Sequence, residues 1–145
     1  MLTHMEYEQQ IAIDADPERV WAVLADVERW PEWTESMTTV ELLDEGPLAV
    51  GSRAVVKQPR LRPAEMTVTS LEPGRSFEWE NSAPGVTTVG DHRIEPRAGG
   101  GSTVTLVLRQ TGFAAPVVRL LFGGLIRRYV ELEAQGLKRR AEAGE

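Results

Sequence analysis

Residues 11–37 read IAIDADPERVWAVLADVERWPEWTESM, and the fold turns on how this stretch is parsed. Ile11 and Ile13 end an alternating run. Asp16-Pro17 then has the form of a helix start, an N-cap acid followed by proline at the first helical position. Val20, Trp21, Val23, Leu24 and Val27 recur at helical spacing, so a short helix begins near Pro17. Asp26 can cap a second helical turn, and Pro31 disfavours the α conformation at Trp30. The stretch thus predicts two short helical pieces that return the chain to extended structure by Met37. Trp30 and Trp33, two of only four tryptophans, stand within four positions of each other, which a solvated loop does not explain.

Upstream, YEQQIAID (7–14) places Tyr7, Gln9, Ile11 and Ile13 on one face of a half-buried strand. His4 precedes it in a tail expected to be loose. Downstream, six runs rich in valine, threonine and aromatics read as strands: MTTVELLD (37–44), SRAVVKQ (52–58), AEMTVTSL (64–71), RSFEWENS (75–82), TTVGDHRIE (87–95) and TVTLVLRQ (103–110). The turn signals EGP, PRLRP, EPG, APG and RAGGG separate them. With no helical run between them, the six form an antiparallel meander. From Ala114 to Ala141 the pattern becomes helical, a rod about 40 Å long. Its apolar stripe runs Val118, Phe122, Leu125, Tyr129, Leu132, Gly136, interrupted by Gly123-Gly124.

The bulk properties fit one domain spanning residues 1–145. Hydrophobic content of 41% and charged content of 26% are ordinary for a globular protein. No apolar run approaches the ~18 residues of a membrane span, and the N-terminus lacks the pattern of a signal peptide. A cytoplasmic location is the expectation. The chain has no cysteine, which excludes disulfides and thiolate chemistry. Net charge is −6, with twelve acids against two bases in residues 1–50, an acidity that argues against nucleic acid as a partner.

A strand, two short helices, six strands and a long C-terminal helix follow the order of the α+β helix-grip fold. The residues point the same way. Residues 11–37, with VGSRAVVKQP, VTSLEPGRSFEWE, PGVTTVGDHRIEP, STVTLVLRQTG and YVELEAQGLKRRAE, closely resemble the START-like, Bet v 1-like (SRPBCC) superfamily in its polyketide cyclase/dehydrase and lipid-transport branch. The resemblance covers roughly residues 5–142. It implies a seven-stranded antiparallel sheet curved around the long helix, with a cavity between them for a hydrophobic small molecule. A lipocalin would lack the early helices, and AGGGS has no following Gly-Lys-Ser/Thr to make a phosphate loop.

Alternation along the strands names the side chains that face such a cavity. Leu106 and Leu108 share a face with Val104; Phe77 and Trp79 share one, with Glu78 and Glu80 on the solvated side. Met66 pairs with Val68, and Gln58 continues the face of Ala54 and Val56. Thr88, His92 and Ile94 have one parity, which turns Asp91 away from His92. Met37 is a candidate where the chain re-joins the sheet, as are Phe122 and Tyr129 on the helix stripe. Trp30 is expected to plug the helix–strand junction. Trp33, by the resemblance, comes back near the cavity, where it either shares that plug or lines the wall; an indole's apolar face and single donor suit a ligand.

His92 is the one candidate for catalysis. It is either a hydrogen-bonded core histidine or a polar handle and general acid–base in the cavity, with Gln58 as an orienting amide. Two histidines cannot make a three-ligand zinc site unaided, so neither metal nor cofactor is expected. No G-x-S-x-G is present to support a serine triad. Two functions remain. One is binding of a hydrophobic or amphipathic small molecule for transport, sequestration or sensing. The other is an enzyme resembling aromatase/cyclases, closing and dehydrating rings on a polyketide-like chain. The inward polar set of His92, Gln58, Thr88 and Tyr129 is thin for that chemistry, which favours binding. The expected state is a monomer or homodimer without stable membrane insertion. The run APVVRLLFGGLIRRYV (115–130) packs in the sheet's grip or, as a weaker reading, touches a membrane or a second copy.

Overall fold

The computed structural model describes residues 4–143. β1 (His4–Ile13) leads through α1 (Pro17–Ala25) and a 3-10 helix (Val27–Glu32) to β2 (Thr39–Leu42). There follow β3 (Arg53–Lys57), β4 (Ala64–Glu72), β5 (Ser76–Ala83), β6 (Val86–Pro96), β7 (Ser102–Thr111) and α2 (Ala115–Glu142). The sheet order is β1-β7-β6-β5-β4-β3-β2, antiparallel throughout. The helix-grip arrangement read from the element order is the one observed. His4 is no loose tail: its backbone opens β1 opposite Thr111. Among the described residues no helix is long and apolar enough to cross a membrane.

Local chemistry explains the turns. Asp16 caps α1 through its backbone: its carbonyl accepts from Val20 N at 3.0 Å, while its side chain makes no capping bond. Proline at the first position costs nothing there, since that N–H would have no helical partner. Pro31, expected to push Trp30 out of the helix, instead lies inside the 3-10 segment. Trp33 N and Thr34 N both donate to the Trp30 carbonyl at 3.0 Å. Burial explains the difference: Trp30 is 0% exposed and donates Nε1 to the Leu24 carbonyl at 2.9 Å. A packed, hydrogen-bonded indole outweighs a modest backbone preference.

The parity of the strands is as read. Ile13, Val104, Leu106, Ile94, Phe77, Trp79, Val68, Ala54 and Val56 are all buried on the concave side. A β-bulge between Val68 and Ser70 adds curvature to β4 where the sheet wraps the helix.

α2 has the predicted extent but turns a different face inward. The buried line is Gly123, Ile126, Tyr129, Val130, Ala134, Gly136, Leu137 and Ala141, while Leu125 and Leu132 are only half-buried and Phe122 is 37% exposed. Close approach sets this rotation. Small residues let the helix backbone sit on the sheet and on the Trp30–Trp33 turn, whereas a tally of large apolar side chains selects a face that is partly turned outward. Tyr129 and Gly136 belong to both descriptions, which is why the predicted stripe was only partly displaced.

Candidate functional site

Between the concave face of the sheet and α2 lies a cavity of about 190 Å³. Three cross-strand rows of the sheet form its back wall, every residue in them but Phe77 lining it directly. Trp79, Gly90 and Leu108 make the central row; Phe77, His92 and Leu106 lie on one side; Asn81, Thr88 and Gln110 lie on the other. Met66 and Ala64 of β4 and Val56 of β3 continue the wall, and Gln58, Leu61 and Arg62 belong to the loop beyond β3. Trp30 and Met37 close it from the helix–strand junction; Ile126, Tyr129, Val130 and Glu133 close it from α2. Gly90 has a specific task in this wall. A Cβ there would stand 3.0 Å from Trp79 Nε1, so the missing side chain lets the indole lie across the β6 backbone.

His92 sits in an aromatic box. Its ring stacks on Phe77 at 4.2 Å and 14°, meets Trp79 edge-on at 5.9 Å, and lies 5.5 Å from Trp30. Trp30 in turn contacts Trp33, Phe77 and Trp79 at centroid distances of 5.6, 6.3 and 5.4 Å. It is the hub of the cluster.

Both imidazole nitrogens have partners. Nδ1 lies 3.2 Å from the Phe77 carbonyl oxygen, and Nε2 lies 3.4 Å from Glu133 Oε2, with side chains only 5% and 13% exposed. A carbonyl oxygen only accepts, so Nδ1 carries a proton. The Nε2–Glu133 contact is an ion pair when the ring is protonated. The arrangement is a buried polar end to the cavity, whose other polar lining comes from Gln58, Arg62, Asn81, Thr88 and Gln110.

Nine of the sequence candidates line this cavity: Met37, Gln58, Met66, Trp79, Thr88, His92, Leu106, Leu108 and Tyr129. Three lie elsewhere. Trp33 packs its backbone and ring against Gly136, and Trp30, expected to plug the junction, does so and also lines the wall. Phe77 is fully buried behind His92. Phe122 points outward because Gly123, not Phe122, faces the Tyr7 hydroxyl. Gln58 donates to the Ser36 carbonyl at 3.2 Å, and Tyr129 donates to the Pro59 carbonyl, so neither orients His92. That task falls to Phe77 and Glu133. Glu133 went unread because it lies on the helix face that the apolar count passed over, although it follows Tyr129 by one helical turn.

Asp91 points to the convex side as its parity requires, 3.0 Å from Arg93 Nε and 3.8 Å from Arg109, which also binds Glu78 at 3.2 Å. It therefore cannot complete a triad with His92. Among the described residues no three histidine or carboxylate side chains gather to hold a metal ion. The polar atoms Trp33 Nε1, Tyr7 Oη and Gln110 Oε1 are buried without a partner.

A family model described as polyketide cyclase/dehydrase and lipid transport matches residues 4–142, and the chain belongs to that family. Comparison with curated protein sequences finds no match. The Zhui aromatase/cyclase from Streptomyces sp. R1128 superposes with a TM-score of 0.79 at 18% identity, over 96% of this chain and 94% of that one. The di-domain ARO/CYC StfQ from the steffimycin biosynthetic pathway gives 0.77 at 11% identity, over 97% of this chain and 51% of that one. Ara h 8.0201 gives 0.74 at 10% identity, over 97% and 99%. At these identities the likeness is one of fold alone.

Proposed function

We propose that this member of the polyketide cyclase/dehydrase and lipid transport family binds a small, mostly apolar molecule with one polar group, in the cavity under α2. The observation that carries the reading is a cavity with a largely aromatic and aliphatic wall and the buried His92–Glu133 contact at one end. Apolar surface of the ligand would leave water against Trp30, Met66, Trp79 and Leu106. A hydroxyl or carbonyl group would reach the imidazole or the carboxyl group, which fixes its orientation.

Size narrows the ligand class. Pockets that hold drug-sized molecules run to roughly 300–1,000 Å³, and this cavity has about 190 Å³. It suits a one- or two-ring compound and is too small for an extended polyketide chain unless α2 moves. Native mass spectrometry of freshly purified protein, followed by titration of 2-naphthol on tryptophan fluorescence, tests this. A co-purified or titrated ligand with unit stoichiometry supports the reading; no saturable binding of any small apolar probe would end it.

One observation favours a second reading. A histidine backed by a carboxyl group inside a dry cavity is also the equipment for moving a proton. In a cyclase of this kind His92 would take a proton from an activated carbon and return it to an oxygen, with Glu133 balancing the charge on the ring. The relatives named aromatase/cyclase make that class the natural one to assay.

A further inference from the structure

The end of the molecule around α2's first four turns combines exposed apolar side chains with arginines; among the described residues the other large exposed apolar ones are Leu43 and Val50. Phe113 is 84% exposed, Leu120 83%, Leu121 67%, Val117 55% and Phe122 37%. These sit at the β7–α2 junction and on the outer side of α2, where Gly124 also has open space. Arg119, Arg127 and Arg128 stand on the same helix, and Arg60 and Arg62 on the β3–β4 loop. The segments involved are the β3–β4 loop (58–63), the β5–β6 hairpin tip (84–85) and residues 112–130. Together they hold those five arginines and no carboxylate. The chain's net charge of −6 therefore leaves −11 for everything else. Arg128 pairs with Glu131 at 3.7 Å, one turn further along, and Arg127 lies over the Tyr7 ring at 5.7 Å.

These segments are tied together. Tyr129 donates to the Pro59 carbonyl, joining α2 to the β3–β4 loop, and Ala114 N donates to the Gly85 carbonyl at 2.9 Å, joining the helix start to the hairpin tip. They also supply part of the cavity lining, through Leu61, Arg62, Ile126, Tyr129 and Val130.

We propose that this end docks peripherally and reversibly on an anionic lipid surface, with the cavity facing the bilayer. Charge chooses the occupant. In a symmetric dimer through this patch, the same arginines would meet across the interface with Glu131, already paired with Arg128, beside them. An anionic leaflet supplies the missing charge, and the strongly acidic remainder of the chain orients this end towards it. Shape points the same way. Leu120 and Leu121 are adjacent and project about 100° apart on the helix, so the apolar surface is a convex ridge. A fluid interface accepts such a ridge without a matching groove. The docking rests on the surface alone; exchange of cavity contents with the bilayer rests on the ligand-binding reading.

The test is flotation of the full chain with vesicles of phosphatidylcholine alone and of mixed phosphatidylcholine and phosphatidylserine. Binding is expected to the mixed vesicles only, and to fall steeply with salt. Leu120→Ser/Leu121→Ser should weaken it by roughly tenfold or more, and Arg60→Gln/Arg127→Gln by about fivefold per arginine. Thermal melting checks that both variants fold. Absence of binding to mixed vesicles overturns the proposal, whatever else the ridge then binds, as does equal binding to neutral ones or binding that neither variant weakens. A 2-naphthol titration without vesicles is read alongside, so that failure to dock and failure to bind a ligand are told apart.

Discussion

Gly136 of α2 lies directly against the backbone of Trp33: a Cβ at that position would stand 2.0 Å from the Trp33 carbonyl oxygen. Backbone cannot yield as a flexible side chain can. Gly136→Ala should therefore destabilise the protein by roughly 1–3 kcal/mol through overpacking, despite alanine's better helix propensity. Gly124 is the opposite case, with nothing within 4 Å of its would-be Cβ. Gly124→Ala should stabilise by up to about 1 kcal/mol. Urea unfolding of both variants checks the pair; equal effects at the two sites would mean that α2 does not sit on the 3-10 turn as described.

The far end of α2 carries an acid-sensitive clasp. Glu142 Oε2 accepts from Lys138 Nζ and from Asp14 N, joining the last helical turn to the end of β1. The Lys138 hydrogen bond first, and then the Asp14 backbone bond, hold the Glu142 carboxyl below its ordinary value of 4.5. A depressed folded-state value means stability that is present above the ordinary value and lost as pH falls below it, towards the lowered one. Glu142→Gln should accordingly lower stability at neutral pH and flatten the acid limb of a melting-temperature profile below about 4.5. An acid limb identical to that of the parent would remove the clasp from the account.

Most of the fold was legible because its signals are local. The alternation around Met66, Trp79, His92 and Leu106 fixed which side of each strand faces inward, since side chains alternate with period two. The wall followed from that. The misreadings arose where packing between distant segments decides. Whether Trp30 or Trp33 lines the cavity depends on how the 3-10 turn seats on Gly136, a contact between residues a hundred positions apart. Which face of α2 turns inward depends on small residues, and a search for large apolar ones discounts them. Glu133 was hidden for the same reason. Nothing local marks it as the partner of His92.

Gly90 offers a test of the cavity itself. Gly90→Ala would press the Trp79 indole by a few tenths of an ångström, and both residues line the cavity, so the added methyl and the displaced ring take volume from it. The volume lost is close to one methyl group, and pockets discriminate at that scale by about tenfold or more. The affinity for 2-naphthol should drop accordingly, with a shift in tryptophan emission and little change in melting temperature. Affinity unchanged by the substitution would place the probe outside this cavity.

The His92–Glu133 contact separates binding from catalysis. Suppose the pair serves only to orient a ligand's polar group. His92→Gln keeps a hydrogen-bonding side chain opposite Glu133, and Glu133→Gln leaves an amide that can donate to Nε2, so each variant retains one satisfied contact. Affinity for a hydroxylated probe should then move by about the 1 kcal/mol of a neutral hydrogen bond. Replacement by leucine should do more harm at either position, since it leaves the buried partner unpaired. Suppose instead that the pair moves protons. Then both glutamine variants lose general acid–base catalysis, typically about 10²–10⁴-fold in rate, while binding survives. The effects would also be far from additive, because either loss alone disables the same step. Titrating 2-naphthol and short poly-β-keto mimics into the parent, the two glutamine variants and their double variant reads both quantities at once. Saturable binding that changes little in the variants, with no product from any of the four proteins, is the expected result. Turnover by the parent that vanishes in both single variants, with binding intact, would replace the binding protein with a cyclase.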